Sequence, residues 1–169
     1  ALRNNTTGAD NTAAGYNALT TNVTGSNKTA VGRNVLQSTT SGNNTAMGAY
    51  ALSSATTGGA NNAFGVYALT NVTTGTDNVA VGKQAGQDVT TGSNNLFFGL
   101  DAGRSSSPSG SVSTGSNNVV IGDNSISNLY CADTSISSSD SRDKTDITDF
   151  THGLSWIEEL RPVTYRWDR

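Results

Sequence analysis

The chain has little of what most function classes need. It carries one cysteine, one histidine and two prolines in 169 residues. A single Cys131 excludes an internal disulfide framework and a cysteine-based zinc site. Only 7% of residues are aromatic and 34% apolar, which is lean for a globular core. No apolar run approaches the roughly 20 residues that span a bilayer. The three lysines, Lys28, Lys83 and Lys144, do not cluster, and the formal charge is −3. Nucleic-acid binding needs concentrated Lys and Arg to neutralise phosphates, so that class is set aside, as is membrane insertion. No signal peptide is visible and the chain starts at Ala1, as expected of a piece of something longer.

What is abundant is Gly, Asn, Ser and Thr. The 19 glycines fit either disorder or a regular repeat whose turns need Gly and Asn. Periodicity decides. Short strings ending in an anchor glycine recur at Gly15, Gly32, Gly48, Gly65, Gly82, Gly99 and Gly122, spaced 17, 16, 17, 17, 17 and 23 apart. The last gap holds an insertion near 104–113, including Pro108, expected as an exposed loop. Each unit reads roughly T-T-G-x-x-N-x-A-φ-G-x-x-A-L, with φ apolar. Ala14, Val31, Met47, Phe64, Val81, Phe98 and Ile121 precede the anchors. Mostly small residues stand two before them: Ala13, Ala30, Ala46, Ala63, Ala80, Phe97 and Val120. A second apolar point, at Leu19, Leu36, Leu52, Leu69 and Ile126, falls four after the anchor; Gly86 and Gly103 break that row.

Seventeen residues are too few for a helical hairpin repeat. They suit one coil of a β-solenoid with two short strands and two turns. The expected fold is therefore mainly β: a solenoid or β-roll of about seven coils over residues 1–127, a Ser-rich linker at 128–138, and a small α+β segment at 139–169. Coils stacked at about 4.8 Å would make a rod on the order of 34 Å long. Asn11, Asn44, Asn61, Asn78, Asn95 and Asn118, four before their anchors, either form a stacked amide ladder or only satisfy turn geometry.

The pattern N-x-A-φ-G-x-x-A resembles the head repeats of trimeric bacterial adhesins, which form a left-handed parallel β-roll, and repeat blocks of phage tail fibres. The resemblance covers about Thr6 to Ile126 and implies a homotrimer of rolls side by side. A single thin roll with so light a core would be marginal, and oligomerisation is a natural remedy.

Composition changes near residue 140. Of 23 charged residues, 12 lie in 140–169, with both tryptophans. Residues 150–160 read as a helix with Leu154, Ile157 and Leu160 on one stripe, ended by Pro162. Val163 to Trp167 alternates as a strand would. The elements S-D-x-R-x-K-x-D-I (Ser139 to Ile147) and L-R-P-V-T-Y-R-W (Leu160 to Trp167) resemble the start of the intramolecular chaperone domain of phage tailspikes and tail fibres. This is the self-cleaving S74 peptidase family. Its members carry a longer domain, so the chain is expected to end inside it.

The resemblance implies self-cleavage between Ser138 and Ser139, with Ser139 as nucleophile and Lys144 as general base. A serine hydroxyl needs a nearby base, and a desolvated lysine can be neutral enough to serve. Asp143 stands where the family carries an apolar residue, and an acid there favours the charged form of Lys144. Asp140, Arg142 and Asp146 would order the loop or pair across subunits. His152 reads as a capping or surface residue.

The expectation is thus a homotrimeric virion tail fibre. Its partners would be itself, other tail proteins and a host-surface receptor or glycan. No cofactor and no metal are expected, and enzymatic activity is at most one Ser-Lys autoproteolytic turnover. Three other readings compete. A bacterial trimeric adhesin shares the repeat but should lack Ser139 to Trp167. A glycan-cleaving tailspike needs paired carboxylates facing a groove, whereas Asp10, Asp77, Asp101 and Asp123 are scattered singly. An ice-binding solenoid needs a regular threonine row, and Thr12, Thr29 and Thr45 give way to Asn62, Val79, Leu96 and Val119.

Overall fold

A computed structural model describes residues 1–40 and 42–130. The chain divides into two compact units, Ala1–Leu129 and Tyr130–Arg169; the first is a β-solenoid. Its strands are β1 (Thr12–Ala14), β2 (Thr29–Val31), β3 (Thr45–Met47), β4 (Asn62–Phe64), β5 (Val79–Val81), β6 (Leu96–Phe98) and β7 (Val119–Ile121). They form one parallel sheet in sequence order, β1 to β7. Among the described residues there is no helix.

The register reproduces the sequence repeat. Ala13, Ala30, Ala46, Ala63, Ala80, Phe97 and Val120 pair in one line across the sheet. A three-residue strand turns its middle side chain to one face and its flanks to the other. The middle residues from β2 to β6 are fully buried, and the flanks face outward. A parallel pair needs a crossover of a dozen residues or more; residues 15–28, the remainder of a coil, supply it.

The far side of each coil is not a second strand, contrary to the sequence expectation. It is a run of overlapping turns. In the β3 coil, Ala51 N–H donates to Gly48 O (3.2 Å) and Ser53 N–H to Tyr50 O (3.3 Å). The N–H groups between them leave the coil: Tyr50 donates to Arg33 O (2.9 Å) and Leu52 to Ala68 O (3.1 Å). Half of the donors thus close turns and half tie coils together, so no continuous ladder forms. Both turns carry a left-handed residue at their third position, Tyr50 (φ 63°) and Leu52 (φ 49°), the type II signature. Leucine pays about 1–2 kcal/mol there. Leu19, Leu36, Leu52 and Leu69 are nonetheless fully buried, and burial of each side chain returns about 1.5–3 kcal/mol. Burial wins.

The asparagines form the amide ladder and serve their turns at once. Asn78 donates to Asn61 Oδ1 (3.0 Å) and Gly92 O (2.9 Å), and its Oδ1 accepts from the backbone and side chain of Asn95. Lys28 occupies the same position in the β2 coil. Its backbone N–H still donates to Asn11 Oδ1 (3.1 Å). Its ammonium is buried without a partner, as is Asn22 Oδ1, and desolvation holds Lys28 below the usual lysine pKa.

The broken leucine row has a steric cause. Phe97 replaces the usual alanine, and its ring fills the space of two leucines. A Cβ on Gly86 would come within 2.6 Å of Leu69 Cδ2 and 2.7 Å of Phe97 Cδ2, and one on Gly103 would overlap the other edge of the ring.

The insertion is only partly the expected exposed loop. Pro108 and Ser109 are exposed, but Ser107 and Val112 are buried. Arg104 anchors the loop: its Nη1 donates to Asp101 (2.9 Å) and its Nε lies 3.7 Å from Asp88. These partners hold its guanidinium above its usual pKa. Ser111 Oγ donates to Asp88 (2.8 Å).

Candidate assembly face

The outward flanks of the strands make two columns along the rod. The column just before the anchors is Ala14, Val31, Met47, Phe64, Val81, Phe98 and Ile121. Met47 is 44%, Phe98 55% and Ile121 47% exposed. The other column changes character along the chain: Thr12, Thr29, Thr45 and Asn62, then Val79, Leu96 and Val119. Over the last three coils both columns are therefore apolar. Contiguous exposed apolar patches are uncommon on monomeric proteins and are typical of interaction surfaces.

The anchor glycines form the corner at one edge of this face, where they serve as the structural positions of the repeat. Gly65 has φ 143°, and a Cβ on it would overlap the carbonyl of Gly82 in the next coil. An L side chain fails there on both counts. Beyond the corner a further column begins: Tyr16, Arg33, Ala49, Val66, Lys83, Leu100 and Asp123, exposed except at Ala49 and Asp123, which are half-buried. Tyr16 (69%), Val66 (41%) and Leu100 (49%) are its large exposed apolar members. Next to it Tyr50 and Tyr67 stack at 5.1 Å with ring planes 9° apart, and Arg33 lies 5.8 Å from the Tyr50 centroid. These rings cover each other's faces.

At the other edge of the sheet face, a groove of about 290 Å³ is lined by Asp77, Asn94 and Asn117 on one side and Val79, Leu96 and Val119 on the other. Asn94 Nδ2 donates to Asn117 Oδ1 (2.8 Å). At a further corner, Thr40, Thr56 and Thr73 each donate a hydroxyl to the carbonyl one coil on. This threonine column lies elsewhere than the one sought in the sequence, and its hydroxyls are engaged within the rod. Among the described residues no three His, Cys, Asp or Glu side chains converge as a metal site.

Residues 139–169 match a family model, that of the S74 peptidases, described as the chaperone of endosialidase. The match lies on the segment whose S-D-x-R-x-K-x-D-I and L-R-P-V-T-Y-R-W elements carried the resemblance. The comparisons with curated proteins and with solved structures find no match. Ser139, Lys144, Asp140, Arg142 and Asp146, the expected cut between Ser138 and Ser139, the expected helix at 150–160 and the strand at 163–167 lie outside the described residues.

The sequence reading picked out the positions of the sheet-face columns, because they sit at fixed offsets from the anchors, but did not assign them to an outward face. It missed the column beyond the corner and the groove. Tyr16, Val66 and Leu100 share one offset, but charged and small residues alternate with them, so no apolar period shows.

Proposed function

We propose that the chain is a shaft or head segment of a homotrimeric virion tail fibre, a structural and attachment component, followed by a chaperone segment that drives its assembly. The observation that carries this reading is the apolar stripe running along the sheet face beside a C-terminal match to the chaperone of endosialidase. A rod whose buried core is half alanine buries little apolar surface alone. Burying the stripe between copies supplies more, at roughly 25 cal/mol per Å².

In this reading the partners are two further copies, other tail proteins and a host-surface receptor or glycan, and the protein resides in the virion. The chaperone segment releases itself by cleavage before Ser139, with Ser139 as nucleophile and Lys144 as base.

A native mass spectrum of the full gene product, beside Ser139→Ala, tests both parts. The expected result is a trimer of chains ending at Ser138 in the wild type and a trimer of intact chains in the variant. An uncleaved wild-type trimer removes the autoproteolysis. A wild-type monomer removes the fibre reading.

A further inference from the structure

A ring of three copies requires two different patches on each copy, since every contact is head-to-tail. The sheet face supplies one. Resting on the trimer reading above, we infer that the second is the column beyond the glycine corner, docked in the groove of the neighbouring copy: Leu100 seats against the neighbour's Leu96, and Lys83 pairs with the neighbour's Asp77.

Symmetry fixes which residues meet. Rotation about an axis parallel to the rod leaves height along that axis unchanged, so each coil meets the same coil of its neighbour. The groove rim and the corner column can therefore be compared height by height. In the β5 coil the rim offers Asp77 and the corner Lys83, neither of which has an ion-pair partner in its own chain among the described residues. In the β6 coil the groove wall offers Leu96 and the corner Leu100, two exposed apolar side chains. In the β1 coil Asp10 meets Tyr16, and in the β2 coil Asn27 meets Arg33. No height sets two like charges against each other, an arrangement that would disfavour the docking.

The alternative packing places the corner on the three-fold axis, where Leu100 would meet the neighbour's Phe98. That arrangement leaves the groove empty and Lys83 far from Asp77. The two packings differ in which cysteine pair links neighbouring chains.

The test uses the full-length chain carrying Cys131→Ser. Leu96→Cys with Leu100→Cys is oxidised and run on a non-reducing denaturing gel, beside each single variant and beside Phe98→Cys with Leu100→Cys. Covalent trimers from the 96/100 pair, absent from both singles, are expected. A native trimer that links through 98/100 and not through 96/100 overturns the groove docking and leaves the fibre reading intact. A native monomer overturns both.

A charge swap supplies an independent readout should a cysteine variant misfold. Asp77→Lys and Lys83→Asp should each raise the concentration at which trimers dissociate by about tenfold or more, and the pair together should return it close to wild type. Additive losses in the double variant overturn the Asp77–Lys83 pairing.

Discussion

Phe97 stands where five coils carry alanine, and the chain makes room for it by deleting two leucines. Gly86 and Gly103 press against its ring from two coils. Phe97→Ala should cost about 3–5 kcal/mol, because the cavity cannot collapse between stacked coils. Adding Gly86→Leu and Gly103→Leu restores the repeat pattern, with leucine in the left-handed conformation that Leu69 already adopts, and should recover most of the loss. Urea unfolding of the three proteins measures this; a triple variant no more stable than Phe97→Ala contradicts the exchange of volumes. The sequence showed the glycine gaps and the phenylalanine as separate irregularities. Only the stacking shows that they are one event, since Gly86 and Phe97 belong to different coils.

Lys28 is the second residue at which the repeat departs from its own rule. Lys28→Asn should restore the ladder and stabilise the protein by about 1–3 kcal/mol, removing a buried donor without a partner. The pH dependence has a definite sign. The folded-state pKa of Lys28 lies below 10.5, so the unfolded chain binds more protons in the window between the two values. Stability therefore rises with pH up to about 10.5 and falls as pH drops towards the folded-state value. Thermal melts should show this rise in the wild type and its reduction in Lys28→Asn. Equal slopes in the two proteins would contradict the assignment.

At the scale of one coil, the unit of stability is the asparagine and the strand it precedes. Asn78 links its coil to both neighbours, as donor to Asn61 Oδ1 and Gly92 O and as acceptor from Asn95. Asn78→Ala leaves the Asn95 N–H and the Gly92 carbonyl buried without these partners. It should cost about 2–4 kcal/mol, more than the same change at the half-exposed end of the ladder, Asn118. Because a solenoid's stability is a sum over neighbours, hydrogen exchange should report the loss most strongly in the coils of β5 and β6. Uniform loss along the rod would contradict nearest-neighbour coupling.

The strands were legible in sequence, since the string N-x-A-φ-G fixes both the inward small residue and the corner glycine. The opposite flank was not. A leucine four after an anchor, as at Leu19, Leu36, Leu52 and Leu69, looks the same to a periodicity argument whether it lies in a strand or in a turn. The turns are decided by where Tyr50, Leu52 and their equivalents send their N–H groups, and the sequence does not display that choice.

For the solenoid as a whole, the sheet face and the corner column leave Met47, Phe98, Ile121, Tyr16 and Leu100 between 44% and 69% exposed. The repeat directs alanine and leucine inward, and the residues left over, Met47, Phe64, Phe98 and Ile121, pair only along the outer face of the sheet and stay 37–55% exposed. The most direct measurement is a native mass spectrum of the full-length chain beside Phe64→Asp with Phe98→Asp. Neither side chain contributes to the buried interior, so the variant should keep the wild-type far-ultraviolet circular dichroism. The account predicts a wild-type trimer and a folded monomeric variant. A wild-type monomer, or a variant that remains trimeric, would contradict it.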